Sequence, residues 1–113
     1  MRKQDKKTDN QLRAVLTEVC DFALDTCEGF QWLTHVVNYA NFPGSLKIVC
    51  VFETNEQLAN FTASAAQAQL NALIQARLNA MGLQLKSITR HVIYDSEENC
   101  KQQHQGNWAK RLS

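Results

Sequence analysis

Residues 46–53 read Leu-Lys-Ile-Val-Cys-Val-Phe-Glu, and this run restricts the fold more than any other part of the chain. In an extended segment Leu46, Ile48, Cys50 and Phe52 fall on one face, and Lys47, Val49, Val51 and Glu53 on the other. The first face is apolar throughout and has to be covered. The second is apolar only in its middle, which predicts a central strand partly covered on both sides. A sheet must form around this strand.

Its partners are sought on either side. Asn41-Phe42-Pro43-Gly44 predicts a turn, because Pro43 fixes φ at one central position and Gly44 accepts positive φ at the next. Before it, residues 30–39 carry Trp32, Leu33, Val36, Val37 and Tyr39 with no helical stripe, and read as a strand. The turn makes these two strands an antiparallel pair. A third strand is predicted over residues 83–94, with Leu85 and Ile93 opposite Ile88, Val92 and Tyr94.

The cover comes from helices. Leu12, Val15, Leu16, Val19, Phe22, Ala23 and Cys27 recur at three- and four-residue steps, predicting a helix over residues 10–28. Thr8 or Asp9 would cap it and Gly29 would end it. Thr54 and Gln57 have capping-box spacing and open a second helical stretch over 55–81, stopped by Gly82. Leu70, Leu73, Ile74, Leu78 and Met81 form its main stripe, while Leu58 and Phe61 belong to an earlier one. Ser64 and Gln67 repeat the capping-box spacing between the two, which predicts a break near Ser64.

With 113 residues, 44% of them hydrophobic and 20% charged, the chain suits one packed domain. The expected organisation is a flexible basic arm over 1–9, a single α+β domain over 10–95, and a polar C-terminal tail over 96–113 that contains Trp108. The expected fold is α-β-β-α(α)-β, a three-stranded sheet with two main helices packed on one face. No apolar run approaches the roughly 18 residues of a membrane span, and the basic start leads into polar residues, so a cytoplasmic chain without a membrane role is expected.

The element order over residues 10–94 resembles the type II KH-like fold of bacterial KH domains, ribosome-binding factor A and the BolA proteins. KH domains of this type clamp nucleic-acid backbone with a G-x-x-G loop between paired helices. Here residues 61–65 read Phe-Thr-Ala-Ser-Ala, without those glycines. Ribosome-binding factor A replaces the loop with an alanine-centred kink, to which Thr62-Ala63-Ser64 is similar. The resemblance to BolA implies a cluster-sharing role for a strand-borne histidine, here His91. The chain as a whole also resembles short gamma-proteobacterial proteins, some labelled as Fis-type regulators. Fis-like proteins end in a helix-turn-helix, whereas this chain ends in a strand and a polar tail.

Candidate sites are few. Cys20 and Cys27, two helical turns apart, and Cys50 on the apolar strand face read as buried small hydrophobes. Cys100 and His104 have the i, i+4 spacing of a ligand pair and, with His91, are weak metal candidates, since a structural zinc needs four donors. No nucleophile elbow or phosphate-cradling glycine loop is present, so no catalytic residue and no cofactor is expected. The best lead towards a partner is basic and aromatic: Arg2, Lys3, Lys6 and Lys7 at one terminus, and Trp108, Lys110 and Arg111 at the other. The expected function is a small non-enzymatic binding module for a protein or ribonucleoprotein. The alternatives are a KH-like nucleic-acid-binding regulator and a metal or iron-sulfur handling factor.

Overall fold

The structure, a computed structural model, describes residues 2–113. Its elements follow in the order α1 (Lys3–Thr26), β1 (Phe30–Val36), β2 (Lys47–Phe52), α2 (Asn55–Thr62), α3 (Ala65–Ala80), β3 (Val92–Ser96), α4 (Glu97–His104) and α5 (Trp108–Leu112). The strands form one mixed sheet in the order β1-β2-β3, so the 46–53 run is central. β1 pairs antiparallel to β2, with Val36 opposite Lys47 and Phe30 opposite Phe52. β3 runs parallel to β2, with Val92 opposite Ile48 and Ser96 opposite Phe52. The α+β class and the helix-covered three-stranded sheet are as expected.

Packing follows the two faces of β2. Leu46, Ile48, Cys50 and Phe52 join Leu12, Leu16, Val19 and Ala23 of α1, Phe61 of α2, and Leu70, Ile74 and Leu78 of α3 in one apolar cluster. Each fully buried aliphatic side chain of this kind contributes roughly 1.5–3 kcal/mol over exposure. Val49 and Val51, on the other face, are as fully buried but lie outside that cluster.

The helix break falls where the two capping signals placed it. Thr54 and Gln57 complete a reciprocal capping box, and the Ser64 side chain caps α3 by accepting from the Ala66 amide. Gly29 takes φ 83 after α1, and a Cβ there would run into the Gln57 side chain that closes the box. One small residue thus lets the α1–β1 corner sit against the start of α2.

Five expectations are corrected. The arm 1–9 is helical from Lys3, although Arg2 provides no side-chain cap, and Met1 lies outside the described residues. Its order comes from Asp9, buried and hydrogen-bonded to His35 and Tyr39 across the sheet edge. The turn before β2 is longer than a tight hairpin: Tyr39–Asn41 forms a short 3-10 turn, and Gly44 does not enter the positive-φ region. The third strand starts only at Val92, because Leu85 and Ile88 both turn inward at a three-residue step that alternation cannot provide. Finally, the tail 96–113 is folded into α4 and α5, with Ser96 capping α4 and Glu97 and Glu98 in its first turn. Phe22, expected within the α1 stripe, is instead exposed.

Candidate functional site

Trp108 is committed inside the fold. Its ring meets Trp32 of β1 edge-on at 4.9 Å between centroids. Both indoles donate to the same Glu97 oxygen, at 2.8 Å from Trp32 and 2.9 Å from Trp108. Arg111 lies over the Trp108 ring and grips Asp95 with two hydrogen bonds of 2.6 and 3.0 Å, at side chains that are both largely buried. Burial pushes the Asp95 carboxyl up, but Arg111, the Ser96 amide and Asn99 outweigh it and hold the group below the usual carboxylate range. Trp108 and Arg111 are therefore a latch closing α4 and α5 over the Val51 half of the sheet, and only Lys110 of the three C-terminal candidates is exposed.

The metal candidates do not converge. Cys100 is fully buried, His104 accepts a contact from Arg111, and His91 sits at the opposite end of β3. Among the described residues no group of three His, Cys, Asp or Glu side chains could hold a metal ion. All four cysteines are free thiols, Cys50 and Cys100 buried and Cys20 and Cys27 partly so. Burial, with the thiols of Cys20 and Cys27 nearby, pushes Cys50 up to about 12, which makes it an inert core residue.

A polar network that periodicity could not reveal lies between α1 and β1. Asp9 accepts from His35 Nε2 at 2.8 Å, Tyr39 Oη at 2.7 Å and Arg13 Nε at 3.1 Å. The hydrogen bonds from His35 and Tyr39 hold the Asp9 carboxyl below its ordinary value, and burial and the Asp9 charge push the Tyr39 hydroxyl well above its own. Three donors engage the carboxylate, two on Oδ1 and one on Oδ2, so it clamps α1 to the sheet.

The strand directions sort the charges of the chain. At the end where β1 finishes and β2 and β3 begin, the sequence places Lys47, Lys86, Arg90 and His91, and the first turns of α1 add Lys3, Lys6 and Lys7 with one acid, Asp5, among them. At the other end lie Glu28, Glu53, Glu56, Glu97 and Glu98, brought together by the contacts of Glu53 with Gly29 and Glu98, with Lys101 beside Glu53, Glu97 and Glu98. The formal charge of +1 conceals this separation. Opposite the acidic end, the turn and the 84–91 loop enclose a cleft of about 500 Å3 lined by Pro43, Lys47, Leu85, Lys86, Arg90 and His91. Beside it, the uncovered half of the second sheet face exposes Val36 and Ile93.

No family model, curated protein or solved structure matches the chain. The functional reading therefore rests on these side chains. The terminal basic residues expected to act together are split: Lys3, Lys6 and Lys7 belong to the basic end, while Arg111 is neutralised by Asp95 on the latch. Lys47, Lys86 and Arg90 were not among the sequence candidates, since nothing in the sequence pattern shows that residues 47 and 86–90 are neighbours until the parallel pairing of β2 with β3 is known.

Proposed function

We propose that this protein is a non-enzymatic binding module for a ribonucleoprotein, which it meets through phosphates of the nucleic-acid component at its basic end. The observation that carries the reading is the segregation of charge along the strands, with Lys3, Lys6, Lys7, Lys47, Lys86 and Arg90 at one end and free of ion pairs among the described residues. A patch of this kind attracts a polyanion even when the whole chain is nearly neutral. The exposed Val36 and Ile93 beside it offer apolar contact for sugars or bases. The open face presents no free aromatic ring, because Trp32 and Trp108 are occupied with each other, so contact is to backbone and tolerant of sequence. The engagement of Asp9 by three donors of the fold and the dispersal of Cys100, His104 and His91 support a role without turnover.

Fluorescence anisotropy with a labelled single-stranded RNA tests this. Contacts to three or four phosphates would weaken affinity roughly 20- to 50-fold between about 50 and 200 mM salt. Absence of binding at the lowest salt overturns the reading and leaves a protein partner on the Val36–Ile93 face as the explanation for that open surface.

A further inference from the structure

We propose that the cleft between the 43–47 turn and the 84–91 loop is a discrete phosphate site, with Lys47, Lys86 and Arg90 supplying charge and His91 Nε2 placed to accept from a hydroxyl of the phosphate monoanion or of its ester. This deepens the reading above, replacing a diffuse basic end with one seat for one group. Two features separate the cleft from an ordinary solvated patch.

The first is that two of its polar side chains, Lys47 and His91, are held in place from beneath, while Lys86 and Arg90 extend from it exposed. Lys47 Nζ donates to the Arg90 carbonyl at 2.9 Å, which pins the ammonium across the gap and leaves its other protons free. His91 Nδ1 donates to the Leu46 carbonyl at 2.7 Å, and the His91 carbonyl accepts from the Ile48 amide at 2.7 Å. The ring is thus fixed by main chain on β2, with Nε2 as the nitrogen not used by the fold. Leu85 is buried and Ile88 packs on the core, so Lys86 is carried between two anchors even though the loop forms no strand. Such preorganisation spares the ordering cost that a free lysine would incur on binding.

The second is that the charge is uncompensated. No carboxylate lies within ion-pair distance of Lys47, Lys86 or Arg90 among the described residues, and none lines the cleft. By contrast, the fold pairs Arg13 with Asp9, Arg77 with Glu18 and Arg111 with Asp95. A tetrahedral oxyanion bearing one or two charges matches several ammonium and guanidinium donors converging on a small volume. A phosphate within a nucleic-acid strand and the phosphate of a free mononucleotide share that chemistry.

The test is a titration of the full-length protein with inorganic phosphate, adenosine 5′-monophosphate and a single-stranded RNA, followed by backbone amide NMR. Saturable shifts confined to Gly44, Lys47, Ser87, Arg90 and His91 are expected with phosphate and the mononucleotide, and the same shifts joined by Lys3–Lys7 with RNA. Replacing both exposed cations, Lys86→Ala with Arg90→Ala, should weaken binding by about tenfold or more. The charge-matched pair Lys6→Ala with Lys7→Ala should leave phosphate affinity within about threefold and lower only the salt dependence of RNA binding. A stronger response to the mononucleotide assigns the seat to a free phosphate ester, and a stronger response to RNA assigns it to backbone. Equal losses from the two double variants, or phosphate shifts spread over Lys3–Lys7 as well, overturn the discrete site while leaving salt-dependent RNA binding standing. Phosphate shifts in the cleft without RNA binding would do the reverse.

Discussion

The two faces of β2 are closed by different physics. On one, Leu46, Ile48, Cys50 and Phe52 meet side chains of α1, α2 and α3 that carry no polar atoms, and Asp9 is the buried carboxylate at the margin among the described residues. On the other, Val49 and Val51 are shut in as completely, but over the Val51 half the cover is two short helices held by directional contacts: Arg111 on Asp95 and two indoles on Glu97. Burial of apolar area is non-directional and shared among many side chains, whereas a latch of charged hydrogen bonds concentrates its contribution in a few atoms. The first face should therefore govern whether the molecule folds, and the second whether the last helices stay down. The largest effect expected is from Ile48→Ala, which removes a fully buried side chain at the centre of the core and should cost about 2–5 kcal/mol in urea unfolding. A loss below about 1 kcal/mol would show that the apolar face is not the main source of stability.

The latch is broken by Arg111→Met, which keeps most of the stem but leaves the Asp95 carboxylate without its guanidinium. The expected cost is about 1–3 kcal/mol, smaller than that of Ile48→Ala. Its signature should also differ. Trp32 and Trp108 fluorescence should move to the red, and amide exchange should accelerate over residues 97–112, while residues 47–52 keep their protection. Equal acceleration in β2 and in α4–α5 would mean that the tail and the sheet unfold as one unit and that the two faces do not differ in kind.

The same difference decides what the sequence revealed. The alternation around Ile48, the stripes of α1 and α3 and the caps at Thr54 and Ser64 are local signals, and apolar burial follows them, so the apolar face of the sheet was readable. The polar devices were not, because their partners are far apart in the chain: Asp9 meets His35 and Tyr39 across 26 and 30 residues, and Trp32 shares Glu97 with Trp108 across 65 and 11. Composition made residues 1–9 look unburied and left in 96–113 only Trp108 to dock on the sheet and a short helical turn capped by Asp95 or Ser96; neither segment needed an apolar stripe to become ordered. The candidate site suffered similarly. Lys3, Lys6 and Lys7 could be named from a charge run, but Lys47, Lys86, Arg90 and His91 become neighbours only through the parallel register of β2 and β3.

Asp9 gives the comparison its finest test, because it is a polar clamp placed on the margin of the apolar face. Its carboxyl titrates below the ordinary carboxylate value in the folded protein, so the folded state binds that proton less readily than the unfolded chain. The stability Asp9 contributes is fully present above its unfolded value and is lost as pH falls through the lowered folded one. Asp95 shifts in the same direction, so acid weakens both faces together and the wild-type acid limb is a sum of the two. Asp9→Asn preserves the shape and one oxygen acceptor while removing the titration, and should cost about 1 kcal/mol near neutral pH. That deficit should shrink towards zero between about pH 5 and pH 1, as the wild-type carboxylate takes up its proton. Urea unfolding across that range checks it: a deficit that stays constant with pH would mean that the loss comes from the amide NH2 that replaces an acceptor oxygen and not from the carboxylate charge, and that only the latch face carries an acid-sensitive clamp.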